Sequence, residues 1–317
     1  MATTYTEQLN LPKHAPTDPF NIALINEGFD KTEAGILTAY RGRAAYNLLD
    51  NSNFAVNQRG KTSYTGTGYG LDRWRTNFSG DTVEVLAGGV TNTVASTTGG
   101  WHLHQIIDNG AELVGKSITA ACNAAAITGA LYLLISCRNS SDTEIEHASQ
   151  KIAAGLNVTS LTVPSGTVYI RVGIYAYASS VAVGDSVTLK WAALYEGEYV
   201  AETLSDYVPK GYAAELLECQ RYYYRTIGQG YGYCINASAA RLNIPVPVMM
   251  RATPSVDNDS ITFTCHNNGS NITATGFSVA EMHGASIRLN LTSDAAFTRY
   301  TPLVGYASAE FGFSAEL

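Results

Sequence analysis

Residues 184–225, GDSVTLKWAALYEGEYVAETLSDYVPKGYAAELLECQRYYYR, pass from one periodicity to another. Val187, Leu189 and Trp191 alternate with Thr188 and Lys190, a period of two that puts three apolar side chains on one face of a strand. Further on, behind Pro209 and Gly211, the residues Ala213, Leu216, Leu217, Gln220, Tyr223 and Tyr224 recur at helical spacing. The sequence on either side is β-rich. The stretch therefore reads as an inter-domain hinge, a closing strand that leads through a polar bend into an amphipathic linker helix.

Upstream, strand patterns at 82–86, 117–121, 131–137, 158–163, 168–177 and 187–195 alternate with turn pairs such as Gly88-Gly89, Gly99-Gly100 and Asn109-Gly110. No long helical pattern interrupts them, which predicts a two-sheet antiparallel jelly roll over residues 47–208. Downstream of the linker helix, 209–226, strand patterns at 231–235, 261–265, 287–291 and 307–313 predict a smaller β-domain over 227–317. Pro245, Pro247 and Pro254 mark its segment 244–256 as an edge or a crossing. Residues 1–46 divide into a proline-bearing arm and a helix that starts at Asp18-Pro19. On that helix Ile22, Ile25, Phe29, Thr32 and Ile36 fall three and four apart, a short heptad seam that has to bury itself against something. The expected fold class is all-β with a short N-terminal helix and a linker helix, a jelly-roll β-sandwich followed by a smaller C-terminal β-domain.

Two stretches carry a family resemblance. Residues 193–225, ALYEGEYVAETLSDYVPKGYAAELLECQRYYYR, resemble the closing strand, linker and E-L-x-x-C-Q-R-Y-Y helix of bacteriophage tail-fibre and receptor-binding proteins. Residues 47–77, NLLDNSNFAVNQRGKTSYTGTGYGLDRWRTN, are similar to the opening of the same phage domains and to the N-L-x-x-N-x-x-F start of carbohydrate-binding jelly rolls. The run PVPVMMRATPSV, 245–256, resembles the P-V-P-M-R-A-T-P segment of their C-terminal domains. The resemblance implies a virion fibre protein assembled in the host cytoplasm, with residues 1–40 docked on other virion proteins. It also implies a homotrimer along the seam Ile22–Ile25–Phe29–Thr32–Ile36, and attachment to a bacterial surface glycan. The alternative within the family is a head fibre or a structural spacer. In jelly rolls of this type a structural calcium can sit near the first and last strands, for which Asn51, Asn53 and Asp185 are the candidates here; no other cofactor is implied.

Composition limits the partners. Hydrophobic residues are 45% of the 317, charged residues 15%, and the net charge is −7 with no basic stripe, which argues against nucleic acid, whose phosphates need clustered Lys and Arg. The longest apolar runs are far short of a membrane span, and MATTYTEQLN lacks the apolar core of a signal peptide, so no membrane insertion is expected. The five cysteines, odd in number and without C-x-x-C spacing, read as free buried thiols.

No catalytic constellation stands out. Glu144 with Glu146 and Glu196 with Glu198 read as solvated surface charges, and no nucleophile elbow, zinc helix, P-loop or dinucleotide fingerprint occurs. A glycan depolymerase, the competing class, would be expected to show the short repeated strands of a β-helix, which are absent. The protein is thus expected not to be an enzyme. His102 and His104 share a strand face without a third ligand at metal spacing, so no metal is expected there. The glycan-binding candidates are Trp101 and His104 first, with Asp72, Arg73 and Trp74 beside them; for Trp74 the core reading is the stronger, as the resemblance to phage domains whose D-R-W aromatic belongs to the sheet core implies. Tyr175 and Tyr177 follow, because in 168–177 Val168, Ile170, Val172 and Ile174 face one way while Tyr169, Arg171, Tyr175 and Tyr177 form an aromatic and cationic stripe on the other. That stripe reads first as a tyrosine ladder under a loop of the same domain, next as a subunit interface and last as a sugar-binding face.

Overall fold

The closing strand of the first domain, Ser186–Glu196, lies inside one sheet, paired on one side with Gly89–Thr93 and on the other with Ser117–Thr128. The computed structural model describes residues 4–5, 7, 11–13, 22–41, 46–257, 260–274, 276–294 and 296–316. Twelve strands build the sandwich: β1 (Ser63–Thr65), β2 (Gly68–Tyr69), β3 (Arg75–Thr76), β4 (Thr82–Leu86), β5 (Gly89–Thr93), β6 (Gly100–Ile107), β7 (Ser117–Thr128), β8 (Tyr132–Arg138), β9 (Glu144–Lys151), β10 (Gly155–Thr162), β11 (Tyr169–Ala176) and β12 (Ser186–Glu196). They form two six-stranded antiparallel sheets, β9-β8-β11-β6-β3-β2 and β10-β7-β12-β5-β4-β1. The hairpins β2-β3, β4-β5 and β8-β9 stay within one sheet and the other connections cross between the two, a β-sandwich as the turn spacing predicts.

The core between the sheets is apolar because each strand alternates. Ile170, Val172 and Ile174 of β11 meet Leu133, Ile135 and Cys137 of β8 and Val187, Leu189, Ala192 and Leu194 of β12. Each such fully buried Leu or Ile contributes about 1.5–3 kcal/mol of transfer free energy. Trp191 departs from the predicted alternation. A register shift between Leu189 and Trp191 bulges Lys190 outward, which sends Trp191 to the opposite face from Val187 and Leu189. There it stacks on Tyr207, with ring centroids 4.4 Å apart and planes 6° from parallel. Leu204, Tyr195 and Tyr199 complete this cover, so the linker folds back over the outer face of the second sheet.

The opening motif lies beside the closing strand. Asn47 Oδ1 accepts from Leu194 N (3.0 Å), and Ala192 N donates to Ser52 O (2.9 Å), so the two ends of the sandwich are bonded to one another.

Helix α1 (Ile22–Arg41) is longer than the seam that predicts it, while its expected start at Asp18-Pro19 and most of the arm fall outside the described residues. A two-residue ladder, Thr4–Tyr5 with Pro12–Lys13, precedes it, and Lys13 reaches Asp30 of the helix at 2.6 Å. Ile25 and Ile36 are 40% and 38% exposed and Phe29 is half-buried; the seam is uncovered within one chain, and the side chain of Ile22 is not among the described ones.

Helix α2 (Tyr212–Gln220) ends before the helical spacing suggested. Tyr223 and Tyr224 belong instead to a strand, Tyr223–Thr226, which pairs with Phe311–Ser314 in a three-stranded sheet. Leu217, read as part of the apolar stripe, is exposed, and the buried helix positions are Glu215 and Cys219. A seven-stranded antiparallel sheet completes the C-terminal domain around Leu242, Phe263, Ile287, Leu289, Phe311 and Phe313. Segment Ala239–Pro245 is an interior strand there, between Gly230–Cys234 and Ser286–Thr292, with Pro245 at its very end where the missing N–H costs no interior ladder bond. The 307–313 pattern resolves into two strands, Pro302–Ala307 and Phe311–Ser314. All five cysteines are free and buried.

Candidate functional site

The linker covers the outer face of the second sheet at β10, β7 and β12, while Glu84 and Leu86 of β4 stay exposed there; the aromatic candidates fall instead on the outer face of the first sheet, β9-β8-β11-β6-β3-β2. Register places its residues. On β11 the outward positions are Tyr169, Arg171, Gly173 and Tyr175; β8 sets Arg138, Ser136, Leu134 and Tyr132 opposite them, and β6 sets Ile106 opposite Arg171, His104 opposite Gly173 and Trp101 opposite Tyr175. Arg75 of β3 follows beside His104.

The aromatic end is a cluster of edge-to-face rings. Tyr175 packs on Trp101 (5.5 Å) and on Tyr177 (5.1 Å), and Tyr177 packs on Tyr132 (4.8 Å). The three tyrosines are half-buried, each keeping part of its ring in water, a surface on which the apolar face of a pyranose can stack. Trp101 and His104 correct the sequence expectation. They are 3% and 0% exposed, so neither presents a ring face to solvent. Both point outward by register, yet Arg171 lies over Trp101, its guanidinium carbon 5.8 Å from the ring centroid, and the imidazole of His104 lies 5.3 Å from the same indole. Gly173 makes this packing possible. A Cβ at that position would stand 2.2 Å from Leu103 O and 2.9 Å from His104 Cβ.

The charged end is centred on Asp142, on the β8–β9 turn. Its carboxylate accepts from Tyr169 Oη, from Arg138 Nη1 at 2.9 Å and from Arg171 Nη2 at 3.3 Å. Burial is the largest single influence and opposes its ionisation, but the Tyr169 and Arg138 hydrogen bonds and the Arg171 and Arg138 charges together outweigh it and hold the carboxyl below its usual range. Ser136 Oγ donates to Glu144 Oε2 (2.6 Å) and accepts from Arg138 Nε (3.0 Å), while His147 Nδ1 stands 2.9 Å from Glu144 Oε1. Glu144 is thereby bonded to neighbours, and Glu146 is an exposed residue next to it on β9. Burial first, and then the charges of Arg171, Arg75 and Arg138, lower the His104 imidazole well below its ordinary value, so it is neutral at pH 7.

The other sequence candidates serve the fold. His102 does not share His104's surroundings: a register shift opposite Ile174 and Tyr175 breaks the alternation, and His102 Nδ1 meets buried Asp81 at 2.7 Å while its ring stacks on Phe78. Asp72 accepts from Gln58 N and Nε2, Trp74 Nε1 donates to Asn51 O, and Arg73 joins Asp50 (2.9 Å), so these three build the base of the sandwich where the C-terminal domain meets it. Asn51, a calcium candidate, is occupied by backbone: its side chain bonds Val56 N, Val56 O and Asp72 O. Asn53 bonds Ala55 N, and Asp185 lies near the other end of β12, bonding Ala182 N. The three do not converge, because the opening segment meets the last strand at Ala192–Leu194, away from Asp185.

Tyr132, Arg138 and Asp142 belong to the face and were not singled out from sequence. The alternation Tyr132-Leu134-Ser136-Arg138 carries a signal; which strand lies beside it does not. Two further surfaces exist. A cleft of about 510 Å³ between the domains is lined by Arg59, Tyr64, Tyr69, Trp74, Tyr223 and Arg225 among others. Both of its arginines are paired, Arg59 with Glu316 at 2.6 Å and Arg225 with Glu310 at 2.8 Å. The outer face of the seven-stranded sheet exposes Tyr231, Tyr233 and Tyr306.

No protein-family model and no curated protein sequence matches the chain. Among solved structures it is similar to the enzymatically active domain of bacteriophage CBA120 tailspike protein 4, with 16% identity over 47% of this chain and 21% of that one, at a TM-score of 0.28. It is also similar to a CBM4 structure, with 15% identity over 47% of this chain and 99% of that one, at 0.30. A third is the N-terminal CBM22-1–CBM22-2 tandem domain of Paenibacillus barcinonensis Xyn10C, with 9% identity over 86% of this chain and 98% of that one, at 0.32. The chain thus spans about a fifth of the tailspike chain that it matches. At such identities and TM-scores these likenesses carry no argument about ligand or activity, which rests on the geometry of the open sheet face.

Proposed function

We propose that this chain is a glycan-binding attachment protein of a phage virion fibre, and that the open face of the first sheet is its binding surface. The observation that carries the glycan reading is the ring cluster Tyr132–Tyr175–Tyr177, half-exposed on the outer face of the first sheet. Rings held edge to face are rigid, so little side-chain entropy is lost when a sugar stacks on them. The phage part of the reading is supported by the tail-fibre-like motifs at 47–77, 193–225 and 245–256.

The same reading makes the protein a homotrimer through α1, with residues 1–40 docked on other virion proteins. Ile25 and Ile36 stand exposed at heptad spacing with the half-buried Phe29 between them, which suits parallel packing against two further copies of the same helix. A stacking contact of about 1 kcal/mol gives weak single-site binding, and three sites per fibre raise the effective affinity by avidity, roughly 10²- to 10⁴-fold. Binding is reversible and not catalytic: the carboxylates of the face, Asp142 and Glu144, are engaged by Arg138, Arg171, Ser136 and Tyr169.

The test is binding of the purified protein to host cells and to isolated host polysaccharide, with Tyr175→Ala and Tyr177→Ala beside wild type. Loss of binding at unchanged melting temperature, with no reducing ends released by wild type, is the expected result. Full binding by both variants, or steady release of reducing ends, contradicts it.

A further inference from the structure

The floor beside the tyrosine cluster holds polar atoms that nothing satisfies. Trp101 Nε1, both ring nitrogens of His104 and Arg171 Nε are buried and make no hydrogen bond among the described residues. Three of these four are necessarily or effectively donors: an indole N–H, a guanidinium N–H, and whichever nitrogen of the neutral imidazole carries its proton. Unmade bonds at buried donors are costly, so a face that keeps three of them together is prepared for an acceptor.

The charges on the face call for an anion. Arg75, Arg138 and Arg171 surround His104, while Asp142 and Glu144 are the carboxylates nearest to them. Asp142 holds three donors unequally. Tyr169 and Arg138 are close, whereas Arg171 reaches it through bonds of 3.3 and 3.5 Å, the weakest hold of the three. Asp142 is itself well exposed, so its grip on Arg171 is screened by water. Arg171 is therefore a loosely tethered cation lying across Trp101, beside a floor in which Gly173 lets β11 approach β6 closely at His104.

We propose, building on the glycan reading of the same face, that the ligand is an acidic glycan and that its sugar carboxylate takes the place of Asp142 as the partner of Arg171. A pyranose stacked on Tyr175 sits next to Trp101, and a carboxylate at its ring edge meets the guanidinium fork, which binds two carboxylate oxygens in plane. As Arg171 turns from Asp142 to the ligand, it uncovers the indole N–H of Trp101 and the imidazole of His104, whose unmade bonds the sugar oxygens then complete. No bond is broken or formed covalently.

The experiment compares uronate- and sialate-containing oligosaccharides with their carboxyl-reduced forms and with a phosphate-bearing glycan, at low and high salt. The proteins are wild type, Arg171→Gln, Arg171→Lys, Asp142→Asn and Tyr175→Ala, each checked by melting. Wild type is expected to bind at least one carboxylated sugar about ten- to a hundredfold more tightly than its reduced form, the worth of a charge-assisted hydrogen-bonded pair, and to lose that margin in salt. Arg171→Gln should remove the margin, Arg171→Lys should keep only part of it, and Asp142→Asn, which releases Arg171, should widen it. Equal binding of acidic and reduced sugars, a margin that survives Arg171→Gln, binding to none of the carboxylated sugars, or preference for the phosphate-bearing glycan overturns the proposal. Tyr175→Ala separates the two readings: if it abolishes binding to the host surface while acidic and neutral sugars bind alike, the glycan face stands and the acid specificity falls. If host-surface binding ignores Tyr175→Ala, both fall.

Discussion

Arg73 of the sandwich and Tyr222 behind helix α2 lie face to face, with the guanidinium carbon 3.4 Å from the ring centroid. Arg73 is almost wholly buried, bonded to Asp50 and to Ile106 O, so the stretch read as a hinge is a bonded interface. Around it Gln58 Nε2 donates to Tyr223 O (2.6 Å), Arg59 stacks on Tyr223 (3.6 Å), and Glu215 Oε2 accepts from Asn51 N (2.6 Å). Arg73→Ala should destabilise by about 3–5 kcal/mol, the range for removing one partner of a buried ion pair. Calorimetry should also show the two β-domains melting less cooperatively; an unchanged single transition would contradict this account of the joint.

The assembly prediction rests on α1. Sedimentation of the purified protein should give three times the 33.9 kDa chain mass. Ile25→Asp with Phe29→Asp should dissociate it, because unpaired charges would be buried at a symmetric contact, a penalty of several kcal/mol. A wild-type monomer at all concentrations would leave the uncovered seam without its proposed partner.

Gly173 is a test of the packed floor. Gly173→Ala places a Cβ 2.2 Å from Leu103 O and 2.5 Å from His104 Cα, so β6 or β11 has to shift. The expected loss is about 1–3 kcal/mol by thermal or chemical unfolding. Gly115→Ala provides the comparison: no atom would lie within 4 Å of its Cβ, and any cost there comes from its positive φ alone.

How much of this could be read in the sequence differs from element to element. The strand at Val187–Leu189 and the two faces of β11 follow from period-two alternation, which survives folding wherever no residue is inserted. Trp191 and His102 defeat that reading for one reason: bulges displace them to other partners, and a bulge is a property of the pair of strands. Tyr223 and Tyr224 fit a helical spacing and a strand equally, and pairing with Phe311–Ser314, far along the chain, decides between them. The tyrosine part of the site was legible at Tyr175 and Tyr177. The burial of Trp101 and His104 was not, since it depends on Arg171 of the neighbouring strand lying over Trp101 and on the packing of the two rings together.

His104 should make stability depend on pH. Its folded-state value is lowered by burial and by Arg171, Arg75 and Arg138, with Asp142 opposing them, against about 6.5 when unfolded. The unfolded chain therefore binds the proton first as pH falls below about 6.5, so this group's contribution is present above that value and is lost on acidification, at up to about 1.4 kcal/mol per pH unit. Melting temperatures between pH 7.5 and 5 should fall more steeply for wild type than for His104→Gln. Parallel slopes would show that His104 does not titrate as described.

Hydrogen exchange with and without bound host polysaccharide tests the central claim most directly, because it locates the ligand on the fold. Protection is expected at β8, β11 and the Asn139–Asp142 turn, around Tyr132, Arg171, Tyr175 and Tyr177, with the C-terminal domain unchanged. Protection confined to the Tyr231–Tyr233–Tyr306 face or to the cleft between the domains, with the open sheet unaffected, would contradict the account.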